Sequence, residues 1–188
     1  MSIRAFAAPL AALVLLPLVA SATVVLAESF EQLTANSHLV VRGIAGSSSV
    51  RWDDAGGRIN TWTAIDVREV LKGKLAGPVL IRQAGGVIGK VGQSVSGEAS
   101  FKEGEEVIVF LEHPGDDQNI YVVRSMSFGK VTLAPSPLNE RRAYRDGKGL
   151  GVYAPAEGSN IRVLNGREDL GNAESFVSRI KRAAKGAR

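Results

Sequence analysis

The sequence predicts an all-β, mainly antiparallel protein: a closed or partly closed barrel of about five to seven short strands, with a short helix before it and another after it. Three observations carry that expectation. Val107, Ile108, Val109, Phe110 and Leu111 form a continuous run of branched and aromatic residues bounded by charge. Such a run is too brief for a buried helix and suits a strand buried on both faces. Thr61, Thr63, Ile65 and Val67 alternate with Trp62, Ala64, Asp66 and Arg68, the period of two of a half-buried strand. Further short β-forming runs are separated by turns rich in Gly, Pro, Asn and Asp, with no internal repeat.

Met1 to Ala27 reads as a secretory leader. Arg4 is its only charged side chain, an unbroken apolar stretch runs from Leu10 to Ala20, and small residues follow. Val25-Leu26-Ala27 before Glu28 is the preferred cleavage signal, and Ala20-Ser21-Ala22 is a second one. The alternative is an uncleaved anchor, because the apolar stretch approaches the roughly 20 residues that span a bilayer. Pro9, Pro17 and the small residues favour cleavage and a soluble product, secreted or periplasmic. The chain has no cysteine, which removes a lipoprotein anchor, disulfides, thiolate nucleophiles and cysteine-ligated zinc.

Ser29 and Gln32 have the spacing of a capping box, opening a short helix to about Asn36 with Phe30 and Leu33 on one face. His38 to Ala45 reads as a first strand, ended by Gly46 and three serines, and Arg51 to Gly57 as a turn. Arg58 to Leu71 is the longest strand candidate, and Val79 to Gln83 follows Pro78. Ala84 to Ser100, with Gly85, Gly86, Gly89, Gly92 and Gly97, reads as an extended loop or loose hairpin of the kind that often carries function. The buried strand and Ile120 to Arg124 form a hairpin across a turn at His113 to Asn119, and Gly129 to Leu133 is a last short strand. Residues 134–171 read as an irregular extension. Asn172 and Glu174 start a basic helix with Phe176, Val177 and Ile180 as its apolar stripe. The organisation is therefore a leader (1–27), a barrel (28–133), an extension (134–171) and a basic helical tail (172–188).

The formal net charge of +4 belongs mostly to that tail, where Arg179, Lys181, Arg182, Lys185 and Arg188 fall within the last ten residues. The body is close to neutral. With the leader, that argues against a nucleic-acid partner.

Ser29 to Gly43, Thr61 to Gly73, Gly85 to Gly97 and Phe101 to Leu111 give a helix, a strand ending in Gly, a strand leading to Leu-Lys-Gly, a glycine loop and a Gly-Glu-Glu-apolar strand. In that order they resemble the secreted bacterial relatives of the netrin/TIMP-like (NTR) branch of the OB fold. The resemblance spans roughly Ser29 to Leu133 and implies an OB-like barrel. In the animal inhibitors of this type an amino-terminal cysteine chelates a protease zinc. This chain has no cysteine, so the mechanism does not carry over, and no functional residue is implied.

No catalytic constellation stands out. His38 and His113 have no second histidine at helical or strand spacing, whereas zinc needs three or four ligands. Asp53, Asp54, Asp116, Asp117 and Asn119 lack the spacing of a calcium loop and suit turns. Lys90 is followed by Val91 rather than Ser or Thr, which removes a phosphate-loop reading. Ser94 and Ser96 lack the second glycine of a nucleophile elbow. No catalytic residue, metal or cofactor is expected. The expected contact surface is the glycine loop with Gly85, Gly86, Lys90 and Ser94, together with Trp62 on the polar face of its strand. The sequence thus favours an exported non-enzymatic domain that binds another envelope or extracellular macromolecule, a protein or cell-surface component. One alternative is a secreted hydrolase with unidentified carboxylates. The other is an envelope accessory protein tethered by its basic tail, its membrane contact limited to the leader and that tail.

Overall fold

The computed structural model describes residues 23–54, 56–75, 77–115, 120–147, 150–153, 161–164 and 166–186. The elements run β1 (Thr23–Leu26), α1 (Phe30–Asn36), β2 (Leu39–Trp52), β3 (Ile59–Lys72), β4 (Val79–Ile88), β5 (Val91–Ser94), β6 (Glu106–Glu112) and β7 (Ile120–Val123). A 3-10 turn (Met126–Gly129) leads to β8 (Lys130–Pro135), β9 (Arg141–Asp146), β10 (Leu150–Tyr153), β11 (Ile161–Leu164), β12 (Arg167–Asn172) and α2 (Ala173–Gly186). Among the described residues no helix is long and apolar enough to cross a membrane.

The molecule is mostly β, but its sheet is mixed, which corrects the expectation of a mainly antiparallel barrel. β2 pairs with β3 and β6, β3 with β4, and the short β7 joins β4 to β6, so the pairings run partly round a ring. That ring has an odd number of strands, so their directions cannot alternate all the way round. One neighbouring pair must be parallel, and β4 with β7 is that pair, through Leu80↔Ile120 and Ile81↔Tyr121. β1 and β10 also pair in parallel.

β6 is the shared wall of two cores, as its apolar run predicts. Val107, Val109 and Leu111 pack inside the ring with Leu39, Val41, Ile65, Val79 and Ile81. Ile108 and Phe110 pack on the opposite side with Phe30, Leu33, Phe128, Val131, Phe176 and Ile180. All five of these β6 residues are fully buried. The capping box forms, with Ser29 Oγ accepting from Gln32 N at 3.2 Å and Gln32 Oε1 accepting from Ser29 N at 2.8 Å.

Two stretches differ from the sequence reading, and a third takes the hairpin form of its two alternatives. β2 continues through Gly46 and the serines to Trp52, because β3 offers it partners as far as Trp52↔Ile59. Ala84 to Ser94 is a hairpin, Gly85–Ile88 pairing with Val91–Ser94. Residues 134–171 are not simply irregular: β9 extends the sheet from β8, β12 pairs with β9, and β10 joins β11. Charged residues conceal β9 and β12, since they are edge-side strands whose arginines meet carboxylates across the pair. Arg142 donates to Asp169 and Arg145 to Glu168, both within 2.7–3.0 Å.

β1 lies inside the stretch read as leader. It is in register with β10 from Thr23↔Leu150 to Leu26↔Tyr153, and Ala27 N donates to Tyr153 O at 2.7 Å. Val25 and Ala27 pack on the helix-side core. The first 22 residues lie outside the described part.

Candidate functional site

On the open side of the ring, strand register places a set of polar side chains on one face. Directly paired residues in an antiparallel ladder point the same way. Arg51↔Asn60, Ser49↔Trp62, Trp62↔Arg82 and Asn60↔Ala84 therefore share the outer face of β2, β3 and β4. A cleft of about 680 Å³ opens there, with Arg58, Asn60, Arg82, Gln93 and Ser94 on its polar walls. Val95, Val122 and Met126 supply apolar surface to it.

The hairpin β4–β5 closes one side because β4 bends sharply at two glycines. Gly85 has φ +99° and Gly86 φ +145°, and a Cβ on Gly86 would stand 2.5 Å from Val50 Cγ1 and 2.8 Å from Thr61 Oγ1. Only glycine permits both that backbone and that approach. Thr61 Oγ1 donates to Gly85 O at 2.8 Å, and Gln93 bridges back to β3 by accepting from Ile59 N at 2.6 Å. The hairpin is thereby fixed against the ring.

Gly85 and Ser94 line the cleft. Gly86 makes the bend, and Lys90 stands exposed in the hairpin turn. Trp62, on the outer face of β3, is only 9 % exposed. The Arg51 guanidinium lies 4.2 Å above the ring and covers it, and Trp62 Nε1 is buried without a hydrogen-bond partner among the described residues.

The charges that sequence reasoning missed are Arg58 and Arg82. Neither has an ion-pair partner among the described residues, and nor does Arg51, whereas Arg42, Arg68, Arg124, Arg141, Arg142, Arg145 and Arg179 all do. Arg82 is half-buried in that condition. The nearest sequence signal was a cation inside a strand with no acidic residue close by. Asp53 also lines the cleft, but its Oδ1 accepts from Gly57 N at 2.9 Å and Arg58 N at 3.1 Å, holding the turn before β3.

Glu98 lines this cleft and also a second cavity of about 480 Å³ beyond it. Burial pushes its carboxyl above the usual range, against hydrogen bonds from the Ala84 and Ala99 amides that act the other way. The segment carrying it is pinned by Gln83 Nε2 donating to Ala99 O at 2.9 Å and Ser127 N donating to Gly97 O at 2.9 Å. In the second cavity Lys130 pairs with Glu105 at 2.7 Å, and Thr132 Oγ1 donates to the same carboxylate. Burial raises Glu105, but the Lys130 and Thr132 bonds outweigh it and hold the carboxyl below its ordinary range.

The fold brings the two histidines together, His113 N donating to His38 Nδ1 at 3.2 Å with ring centroids 5.3 Å apart. Among the described residues no group of three or more His, Cys, Asp or Glu is placed to hold a metal ion. Asp116, Asp117 and Asn119 lie outside the described residues.

Comparison with family models, with curated proteins and with solved structures yields no match.

Proposed function

We propose that this chain is an exported, non-enzymatic binding domain built on an OB-like barrel, and that it takes a macromolecular partner on the outer face of β3, β4 and the β4–β5 hairpin. The barrel reading is supported by the ring of β2, β3, β4, β7 and β6 with its single parallel closure. One observation carries the binding reading: a cleft framed by fixed strands whose cations, Arg58 and Arg82, have no ion-pair partner among the described residues. A guanidinium with no carboxylate beside it keeps its fork of donors for an incoming one.

The leader supports export, and the position of β1 supports processing after Ala22, since removal of residues 1–27 would strip a strand already paired with β10. A tether through the basic tail has less behind it, because Arg179 donates to Glu31 and Lys181 pairs with Glu69 within the fold.

The test is a photo-crosslinking amino acid at Ser94, or at exposed Arg68 as control, in chain produced from Thr23 and offered to its own envelope and medium fractions. One partner labelled from position 94 and absent from position 68 is the expected result. Equal labelling from both positions, or none from either, ends the proposal.

A second reading, a hydrolase, is favoured by Glu98 alone, a carboxyl between two cavities that burial pushes above its ordinary range. Glu98→Gln separates the two readings. It abolishes turnover on any substrate a screen turns up if the carboxyl is the acid, and leaves partner crosslinking intact if the chain is a binding domain.

A further inference from the structure

The arginine face points to the chemistry of its partner. We propose that the cleft is a docking surface for an acidic segment of another protein, its carboxylates meeting Arg58 and Arg82 and a neighbouring apolar side chain resting on Val95, Val122 and Met126. This rests on the binding reading above and names the partner's class.

Charge complementarity carries the first half of the argument. Arg51, Arg58 and Arg82 gather round Asn60 and Trp62 with no ion-pair partner among the described residues, and the two carboxylates on the cleft wall bond backbone amides instead, Asp53 those of Gly57 and Arg58 and Glu98 those of Ala84 and Ala99. A guanidinium presents a planar fork that matches a carboxylate in two parallel hydrogen bonds, so an Asp or Glu side chain completes it directly. Asn60 and Gln93 stand beside the arginines, able to bond an extended backbone. Gln93 already uses Oε1 toward Ile59 N and donates from Nε2 to Gly57 O at 3.2 Å, which positions it as a fixed wall.

The apolar part of the cleft decides between classes of polyanion. Val95 is 40 % exposed and lies beside Val122 and Met126, a surface that gains from covering by an aliphatic side chain. A polysaccharide or nucleic acid would instead want a bare aromatic ring for stacking. The ring on this face, Trp62, is already stacked beneath Arg51. A peptide that alternates carboxylate and aliphatic groups fits both halves of the cleft.

The experiment is selection of a random peptide library on chain starting at Thr23, with sulfated dextran and single-stranded DNA assayed in parallel. Enriched peptides are expected to combine Asp or Glu with aliphatic residues. By fluorescence anisotropy their affinity should fall at least about tenfold in the Arg58→Gln/Arg82→Gln double variant. The same loss of charge at exposed Arg182 should change it by less than about twofold. Enrichment of peptides without acidic residues, indifference of acidic ones to the double variant, or preferential binding of dextran or DNA through these arginines overturns the proposal. If crosslinking from position 94 still yields a partner in any of those cases, the binding reading survives and only the acidic-peptide class falls. If crosslinking is also empty, both fall.

Discussion

Arg42 and Arg82 sit on two strands of one ring, β2 and β4 with β3 between them, and face opposite circumstances. Arg42, on β2, points to the side covered by α2, where Glu106 accepts from its Nε at 2.9 Å and Glu174 of α2 lies 3.2 Å from Nη2. Burial weakens the Glu106 carboxylate, but bonds from Arg42 and Arg141 outweigh that and hold it below its ordinary range. Around it stand further closed pairs: Arg179 with Glu31 at 2.6 Å, and Arg145 with Glu168 at 2.7 Å while stacked 3.7 Å over Phe128. Arg82, on β4, looks over the cleft with no ion-pair partner among the described residues. The covered side uses its charges to fasten helices and edge strands to the ring. The open side holds Arg58 and Arg82, which meet no carboxylate among the described residues, and such charges mark a surface suited to a partner.

The comparison can be broken most forcefully at the wall both sides share. Phe110→Ala empties a fully buried site between β6, α1 and Phe128, and should cost about 3–5 kcal/mol in denaturant unfolding. A loss near zero would mean that β6 is not the structural centre. Arg42→Gln should cost about 1–3 kcal/mol, because it removes one of the two guanidiniums that Glu106 and Glu174 share and leaves them only Arg141.

Starting the chain at Glu28 instead of Thr23 should lower stability by about 1–2 kcal/mol, chiefly through the lost burial of Val25 and Ala27. Glu28 itself makes the cut consequential. Its carboxylate accepts from Arg124, Ser125 and Asn36, and those bonds overcome burial to hold it below the usual carboxylate range. Amino-terminal sequencing of exported protein should read Thr23; a start at Glu28 would remove β1 from the working molecule.

Acid should undo the covered side first. Glu28, Glu105 and Glu106 have folded values below 4.5, and Glu31, mainly through its bond to Arg179, falls to about 2. A depressed carboxyl adds stability that is complete above its unfolded value and is lost as pH falls through the folded one. Thermal midpoints should therefore hold from neutrality to about pH 5 and decline steadily below about 4.5. Glu98, raised by burial, works in the opposite sense, and Glu98→Gln should stabilise slightly at neutral pH with the gain vanishing in acid. The smallest effect sharpens the contrast most: Arg82→Gln should change stability by no more than about 0.5 kcal/mol. A large loss there would show that Arg82 serves the fold after all.

The sequence by itself determined the local features. Ser29 and Gln32 fixed the start of α1, the run from Val107 to Leu111 fixed a strand buried on both faces, and Asn172 Oδ1 caps α2 by accepting from Glu174 N and Ser175 N at 3.0 Å. Each depends on neighbours within a few residues, where periodicity and capping chemistry are decisive. Tertiary structure decided the rest. β9 and β12 are strands because partners across the sheet neutralise Arg142 and Arg145, a fact no window along the chain contains. The parallel contact of β4 and β7 follows from closing a ring of odd number. Trp62 is buried because Arg51 is laid over it from the adjacent strand, and that Arg58 and Arg82 have no ion-pair partner among the described residues follows only from where the folded chain puts its carboxylates. Long-range pairing and the distribution of charge between faces are properties of the assembled surface, and residue spacing does not encode them.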